Sequence, residues 1–435
     1  MIDPSPMWGL IEFVALLLLC MASVPIAFSM GIVGVIFAWL YLGGSAAISL
    51  AASTAWTHVN SYTMSMIPLF VLLGAIVGQC GLGKDAFDCF YKWLCKWKGG
   101  LAMASTLSAA AFGAVSGSSN AAVATIGGIA VPETKRYGYS RELRLGSIAV
   151  CGTLASLIPP SITAILYCVL TNQSVGKVFM AGLVPGLIMT VLFSIVVYIW
   201  VSLRPSIAPV PDVSFSLKEK LSSLKAPLPI FALFLGMIMG IYNGWFSPTE
   251  AAGIGVLFVV LLNLAMRRLN WQRFMGSMYE ALRITAMLML IIMGAMLFSA
   301  TVALTGFPDY VADILLGWGL APIPLIFVII ALFIALGCVL DVIGLLVLFV
   351  PLFYPTIVTL GYSPIWYGTM AVVLTEVAMI TPPIAVNLYI AQALESDATV
   401  MDVSRGVLPF YAAAVVLLVL LVFFPQLATW LPSTM

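Results

Sequence analysis

Two proline pairs set in apolar runs carry the strongest chemical signal in this sequence. They are Gly152-Thr-Leu-Ala155-Ser156-Leu157-Ile-Pro159-Pro160-Ser161 and Thr375-Glu376-Val-Ala378-Met-Ile-Thr381-Pro382-Pro383. Proline has no amide hydrogen and clashes with the carbonyl a turn earlier, so consecutive prolines free backbone carbonyls from a helix. Freed carbonyls beside Ser and Thr hydroxyls make a hard-oxygen cage suited to an alkali cation. Proline also opens a new half-helix well, and the positive end of that half-helix suits an anionic group. Lone prolines often merely kink packed membrane helices, but a constant offset of 223 relates these two motifs.

Polar residues at two hairpin centres add to the constellation. The first is Gly113-Ala-Val-Ser116-Gly117-Ser118-Ser119-Asn120, with more polarity than the close packing that Gly and Ser also serve. The second is Gly337-Cys-Val-Leu-Asp341-Val-Ile-Gly344. Asp341 and Glu376 are membrane-depth acids and functional candidates by default. The first hairpin and its break hold no ionisable group except Cys151, which favours sodium over protons as coupling ion. Glu250 reads equally as a helix cap beside Pro248-Thr249, and Glu12 lies near an interface. His58 is the only histidine and cannot make a His-rich metal site. Gly78-Gln-Cys-Gly-Leu-Gly83-Lys84 fails as a phosphate loop because Asp85 stands where Ser or Thr is required. The scattered cysteines indicate neither disulfides nor zinc.

These residues must be positioned by membrane helices. Hydrophobic residues make up 63% of the 435 positions and charged ones 8%, against about 25% charged in soluble domains. A net charge of +1 excludes a nucleic-acid footprint. No basic region precedes the first apolar run, so that run is expected to be a span rather than a cleaved signal. The expected fold is all-α, with about ten spanning helices and two re-entrant hairpins. The hairpins cover 100–132 and 322–359, and the arms of the first, 101–112 and 121–131, are too short to span. With the N-terminus outside, segments 84–98, 133–145, 203–226, 267–283 and 394–406 fall inside. They contain 17 of the 18 basic residues; only Lys177 lies outside. The repeat then has opposite orientations: 1–202 (1–98 scaffold and arm, 99–202 transport) and 227–435 (227–320 scaffold and arm, 321–435 transport), joined by a cytoplasmic linker, 203–226. Inverted repeats with broken helices are the architecture of secondary transporters. A channel would need a continuous polar pore, and an intramembrane hydrolase a Ser–His, Ser–Lys or paired-Asp set; neither pattern is present.

The run Gly117-Ser-Ser-Asn-Ala121, then Ile129-Ala-Val-Pro-Glu133, Gly138-Tyr139, Gly152-Thr-Leu154 and Leu157-Ile-Pro-Pro-Ser161 resembles the large membrane subunit of TRAP transporters, the DctM-like family. Pro185-Gly186, Pro248-Thr249-Glu250 and Thr381-Pro382-Pro383 extend the resemblance over essentially the whole chain. It implies a non-enzymatic, sodium-coupled elevator transporter in the bacterial inner membrane, with a periplasmic N-terminus. The implied cargo is a small organic anion: a carboxylate, sugar acid or sulfonate. Its implied partners are a four-helix small membrane subunit (DctQ-like), a periplasmic binding protein (DctP-like) and the lipid bilayer. A proton-coupled or single-chain anion symporter of the same superfamily is the alternative. The resemblance implies one Na+ site from Ser116 and Ser118 with carbonyls of Ala155, Leu157 and Pro160, and a second around Gly337, Ala378 and Thr381. Ala155 stands where the family often has glycine. Substrate is expected near Ser119, Asn120, Ser161 and Thr381, and Asp341 matches an acidic family position.

Overall fold

Helix boundaries follow from prolines and caps. The computed structural model describes residues 2–338, 340–383 and 385–435, and every regular element among them is helical. The first half runs α1 (Pro6–Met21), α2 (Ile26–Leu42), α3 (Gly44–Val59), α4 (Met66–Gln79), α5 (Leu82–Leu94), α6 (Gly100–Ser116), α7 (Ser119–Arg136), α8 (Arg141–Leu157), α9 (Ile162–Thr171) and α10 (Val175–Leu203). The linker contributes α11 (Leu217–Ser223). The second half runs α12 (Leu228–Tyr242), α13 (Pro248–Ala265), α14 (Trp271–Leu304), α15 (Phe307–Gly317), α16 (Pro322–Gly337), α17 (Val342–Thr359), α18 (Pro364–Ala378), α19 (Val386–Ala393), α20 (Val400–Phe423) and α21 (Gln426–Ser433). By length and composition, six described helices could cross a membrane, or up to eight if each sharply bent pair is one span. The chain is thus a multi-pass membrane protein.

Three local expectations change. The arms of the first hairpin are 17 and 18 residues, not 11 or 12. The helix runs on through Gly113–Ser116, leaving only Gly117-Ser118 as the turn. In the second hairpin α17, at 18 residues, is itself long and apolar enough to cross. Most of the inside segment 267–283 joins the apolar run after it in the 34-residue α14, because no helix breaker lies between them. In the first half a 3-10 turn, Tyr62–Ser65, separates α3 from α4.

Burial separates two groups of helices. From Leu143 to Leu157 every residue of α8 is buried, as is α18 from Trp366 to Ala378. The wall helices α12, α13 and α14 instead expose Leu235, Leu257 and Leu290, as lipid-facing helices do. All five segments assigned to one membrane face touch one another at one end. Asp85 pairs with Arg268, the Tyr91 and Tyr137 hydroxyls are 2.8 Å apart, and the Trp93 indole donates to the Lys220 carbonyl (3.2 Å). The Ser140 amide donates to Ile207 (2.7 Å), and Arg144 pairs with Glu395 at 2.6 Å. The linker is therefore strapped to α5 and the α7–α8 turn, while Arg204, Asp212, Lys218, Glu219 and Lys225 stay exposed.

Candidate functional site

The first hairpin turns where Gly117 adopts φ +62°, a left-handed conformation that side chains resist. Ser118 then caps α7, its hydroxyl accepting the Ala121 amide at 3.4 Å. Opposite this turn, α8 ends because Pro159 and Pro160 cannot donate to the carbonyls a turn earlier. The chain bends by 44°, and Ser161 caps α9 by accepting the Ala164 amide at 3.1 Å. Turn and break touch: Ile162 donates its amide to the Gly117 carbonyl (3.3 Å), and a methyl on Gly117 would lie 2.5 Å from the Pro160 carbonyl oxygen. Since the 10 residues of α9 extend about 15 Å beyond the break, the turn stops that far short of the helix end. The long arms therefore still meet the broken helix partway along its length.

The repeat-related contact is present in the second half. Gly113 packs on Ala155 in the first half, and Gly337 packs on Ala378 in the second. Ser118 caps α7, and Asp341, 223 residues later, caps α17 by accepting the Gly344 amide at 3.1 Å. Thr381 donates to the Val377 carbonyl (2.7 Å), while Tyr411 of α20 donates to the Ile380 carbonyl (2.6 Å) and reaches the Thr381 hydroxyl (3.1 Å). Residue 384, which the offset pairs with Ser161, lies outside the described residues.

The residues anticipated for ion binding fall into place unevenly. Ser116, 3% exposed, has a hydroxyl with no partner among the described residues. Ser116 lies against Gly74 of α4, Ser118 caps α7 and the Pro160 carbonyl packs on Gly117; each carries a hard oxygen of the kind an alkali cation takes. Ala155 is fully buried beside Gly113, whereas the Leu157 carbonyl lies against Gly182 of α10 and is not brought to the turn. Beside the turn is a cavity of about 380 Å³, lined by Gln79 of α4, Glu280 of α14, and Ser116, Ser118 and Thr125 of the hairpin. Ser119, Asn120 and Ser161, anticipated for substrate, do not line it. Asn120 is exposed, and Ser161 caps α9 as Ser118 caps α7.

Ser119 instead joins the two halves. Its hydroxyl donates to Glu376 Oε2 of α18 at 2.9 Å and accepts from Asn387 Nδ2 of α19 at 2.9 Å. Asn387 escaped the sequence reading; a lone amide four residues past Pro383 in an apolar run was the available signal. Tyr411 was also missed, having no motif around it. Glu12 was underrated: it is fully buried and bonded to Tyr41 (3.4 Å) and Thr301, tying α1, α2 and α14. Glu250 resolves as a cap, its carboxylate accepting the Ser247 amide at 2.7 Å in a reciprocal capping box.

The C4-dicarboxylate TRAP transporter large permease protein DctM of Vibrio cholerae is 31% identical, over 97% of this chain and 96% of its own. The sialic acid TRAP transporter large permease protein SiaM of the same species is 29% identical, over 95% and 96% respectively. Among solved structures, the Alcanivorax borkumensis YdaH transporter, described as having an unusual topology, shares the fold. It aligns with a TM-score of 0.55 at 15% identity, covering 83% of this chain and 87% of its own. Residues 13–427 match the family described as the tripartite ATP-independent periplasmic transporter, DctM component, and the chain belongs to that family.

Proposed function

We propose that this chain imports a small organic anion by sodium symport, with the hairpins and broken helices moving against the outer helices in an elevator stroke. The observation that carries the reading is the contact of the Gly117-Ser118 turn with the Pro159-Pro160 break, partway along a buried helix pair. An unpartnered Ser116 hydroxyl, Ser118 and the Pro160 carbonyl supply hard oxygens there, and the Gly337–Ala378 contact offers a repeat-related second position. Both relatives are named for carboxylate cargo, a C4-dicarboxylate and sialic acid. The 380 Å³ cavity suits a cargo of that size and offers hydroxyls and an amide, but it also holds the Glu280 carboxyl, and no lysine or arginine lines it. An anion entering it needs positive charge brought from outside, and co-bound sodium supplies that charge. Carboxylates, sugar acids and sulfonates all satisfy this chemistry.

The reading includes a small membrane subunit, a periplasmic binding protein that delivers the cargo, and an inner-membrane location with the N-terminus in the periplasm. The test is reconstitution in proteoliposomes with both partners and a panel of radiolabelled acids. Saturable uptake driven by an inward sodium gradient is expected, with negligible uptake by the lone chain at micromolar substrate. Uptake indifferent to sodium but driven by a pH gradient would overturn the coupling. Robust sodium-driven uptake by the lone chain would overturn the three-component scheme.

A further inference from the structure

Where Ser119 joins the two halves, two buried side-chain oxygens, one on Glu376 and one on Asn387, have no hydrogen-bond partner among the described residues. Glu376 is 3% exposed and Asn387 is fully buried, and Ser156 lies beside the carboxylate. Ser119 has one hydroxyl hydrogen and gives it to Glu376 Oε2, so Asn387 must present its amide nitrogen to Ser119. That fixes the amide orientation and turns Asn387 Oδ1 away from Ser119. Asn387 Oδ1 and Glu376 Oε1 then remain buried with no partner among the described residues. The described ion pairs involve Lys135, Arg136, Arg141, Arg144 and Arg268, and none reaches Glu376. A buried carboxylate with neither counter-charge nor full hydrogen bonding costs several kcal/mol. A carboxylate oxygen and an amide oxygen left unsatisfied on side chains that share Ser119 are the kind of donors a hard cation takes. Gly152 of α8 packs tightly on this cluster: a methyl there would run into the Val123 side chain and stand 2.8 Å from the Ser119 carbonyl and 2.9 Å from Asn387 Nδ2, so any side chain must displace one of them.

We propose that Glu376 and Asn387, with Ser119 and Ser156 around them, form a sodium site separate from the two hairpin cages. This rests on the sodium-coupled reading and adds one bound ion to it. The site joins the first residue of α7 to both pieces of the second broken helix, so its ion bridges the two halves of the chain.

The test is equilibrium binding of radiolabelled sodium to the purified full-length chain, together with its melting temperature as a function of NaCl against choline chloride. Glu376→Gln keeps the shape and removes the charge; Gly152→Ala crowds Asn387 and the Ser119 carbonyl without removing a ligand atom. Each is expected to bind one sodium ion fewer per chain than wild type and to show a shallower rise of melting temperature with sodium. The Ser116→Ala/Ser118→Ala variant, measured in parallel, is expected to lose a different ion, so that combining it with Glu376→Gln lowers the count further. If Glu376→Gln fails to fold, Gly152→Ala and Asn387→Ala carry the measurement. A wild-type sodium count retained by these variants, while the double serine variant loses an ion, overturns this site and leaves sodium coupling standing. Stabilisation of wild type by acid in place of sodium, abolished by Glu376→Gln, also overturns it. No sodium binding to wild type at all overturns both readings.

Discussion

At the scale of the residue, the first hairpin turn depends on what Gly117, Ser116 and Ser118 can and cannot present. Replacing both serines with alanine removes two hydroxyl oxygens at nearly constant volume. The expected result is weaker uptake with the sodium dependence shifted to higher concentration, in a variant that still folds. Unchanged sodium dependence in proteoliposomes would remove these serines from the ion site. Gly117→Ala acts differently, because a left-handed backbone costs a non-glycine residue about 1–2 kcal/mol and the added methyl meets the Pro160 carbonyl. That substitution is expected to abolish uptake while leaving a lower but measurable melting temperature. Uptake at the wild-type rate would mean that turn and break need not touch.

At the scale of the element, the two halves are clamped at the basic end by one carboxylate. Glu395, 4% exposed at its side chain, lies 2.6 Å from Arg144, 2.9 Å from Lys135 and 3.7 Å from Arg141. It thus binds the end of α7 and the start of α8 to the loop between α19 and α20. Burial raises its affinity for a proton, but the Lys135 and Arg144 contacts outweigh burial and hold its carboxyl below the usual glutamate range. A depressed value means that the contribution is present above the unfolded value of about 4.3 and is lost as pH falls through the folded one. Glu395→Gln strands the buried Arg144 and is expected to cost roughly 3–5 kcal/mol. It should also flatten the acid side of the stability profile below about pH 4. Thermal unfolding of the two proteins across pH checks both statements; superimposable profiles would show the clamp to be inert.

At the scale of the whole molecule, the basic segments converge on one end, and the side of the membrane they occupy is the orientation of the chain. Single cysteines at Asn172 and Pro308, in a background without the seven native cysteines, are expected to react with an impermeant reagent in intact cells. Cysteines at Ser214 and Asn270 should react only after permeabilisation. Labelling of Ser214 from outside would invert the arrangement. The charge map is indifferent to whether a hairpin is re-entrant or a pair of full spans. Leu101 at the start of α6 donates to the Tyr139 hydroxyl (3.3 Å) just beyond α7, so both hairpin ends lie together either way.

The sequence by itself determined the all-helical class, the breaks and the family. Apolar runs, proline pairs and caps act within a few residues, and their local physics is the same wherever the chain goes. The motif set around Gly117, Pro132 and Pro159-Pro160 is likewise a property of the string. The tertiary structure decided which oxygens meet. Nothing near Ser119 indicates that its hydroxyl faces Glu376 and Asn387, 257 and 268 residues away. Nothing near Glu12 indicates that Tyr41 and Thr301 receive it in a buried position. The arm lengths were misjudged for a related reason: Gly113 reads as a breaker, yet it stays helical because its missing side chain lets α6 lie on Ala155 of α8. Pairings across hundreds of residues depend on the packing of buried helices, where each polar group must find its partner from another part of the chain.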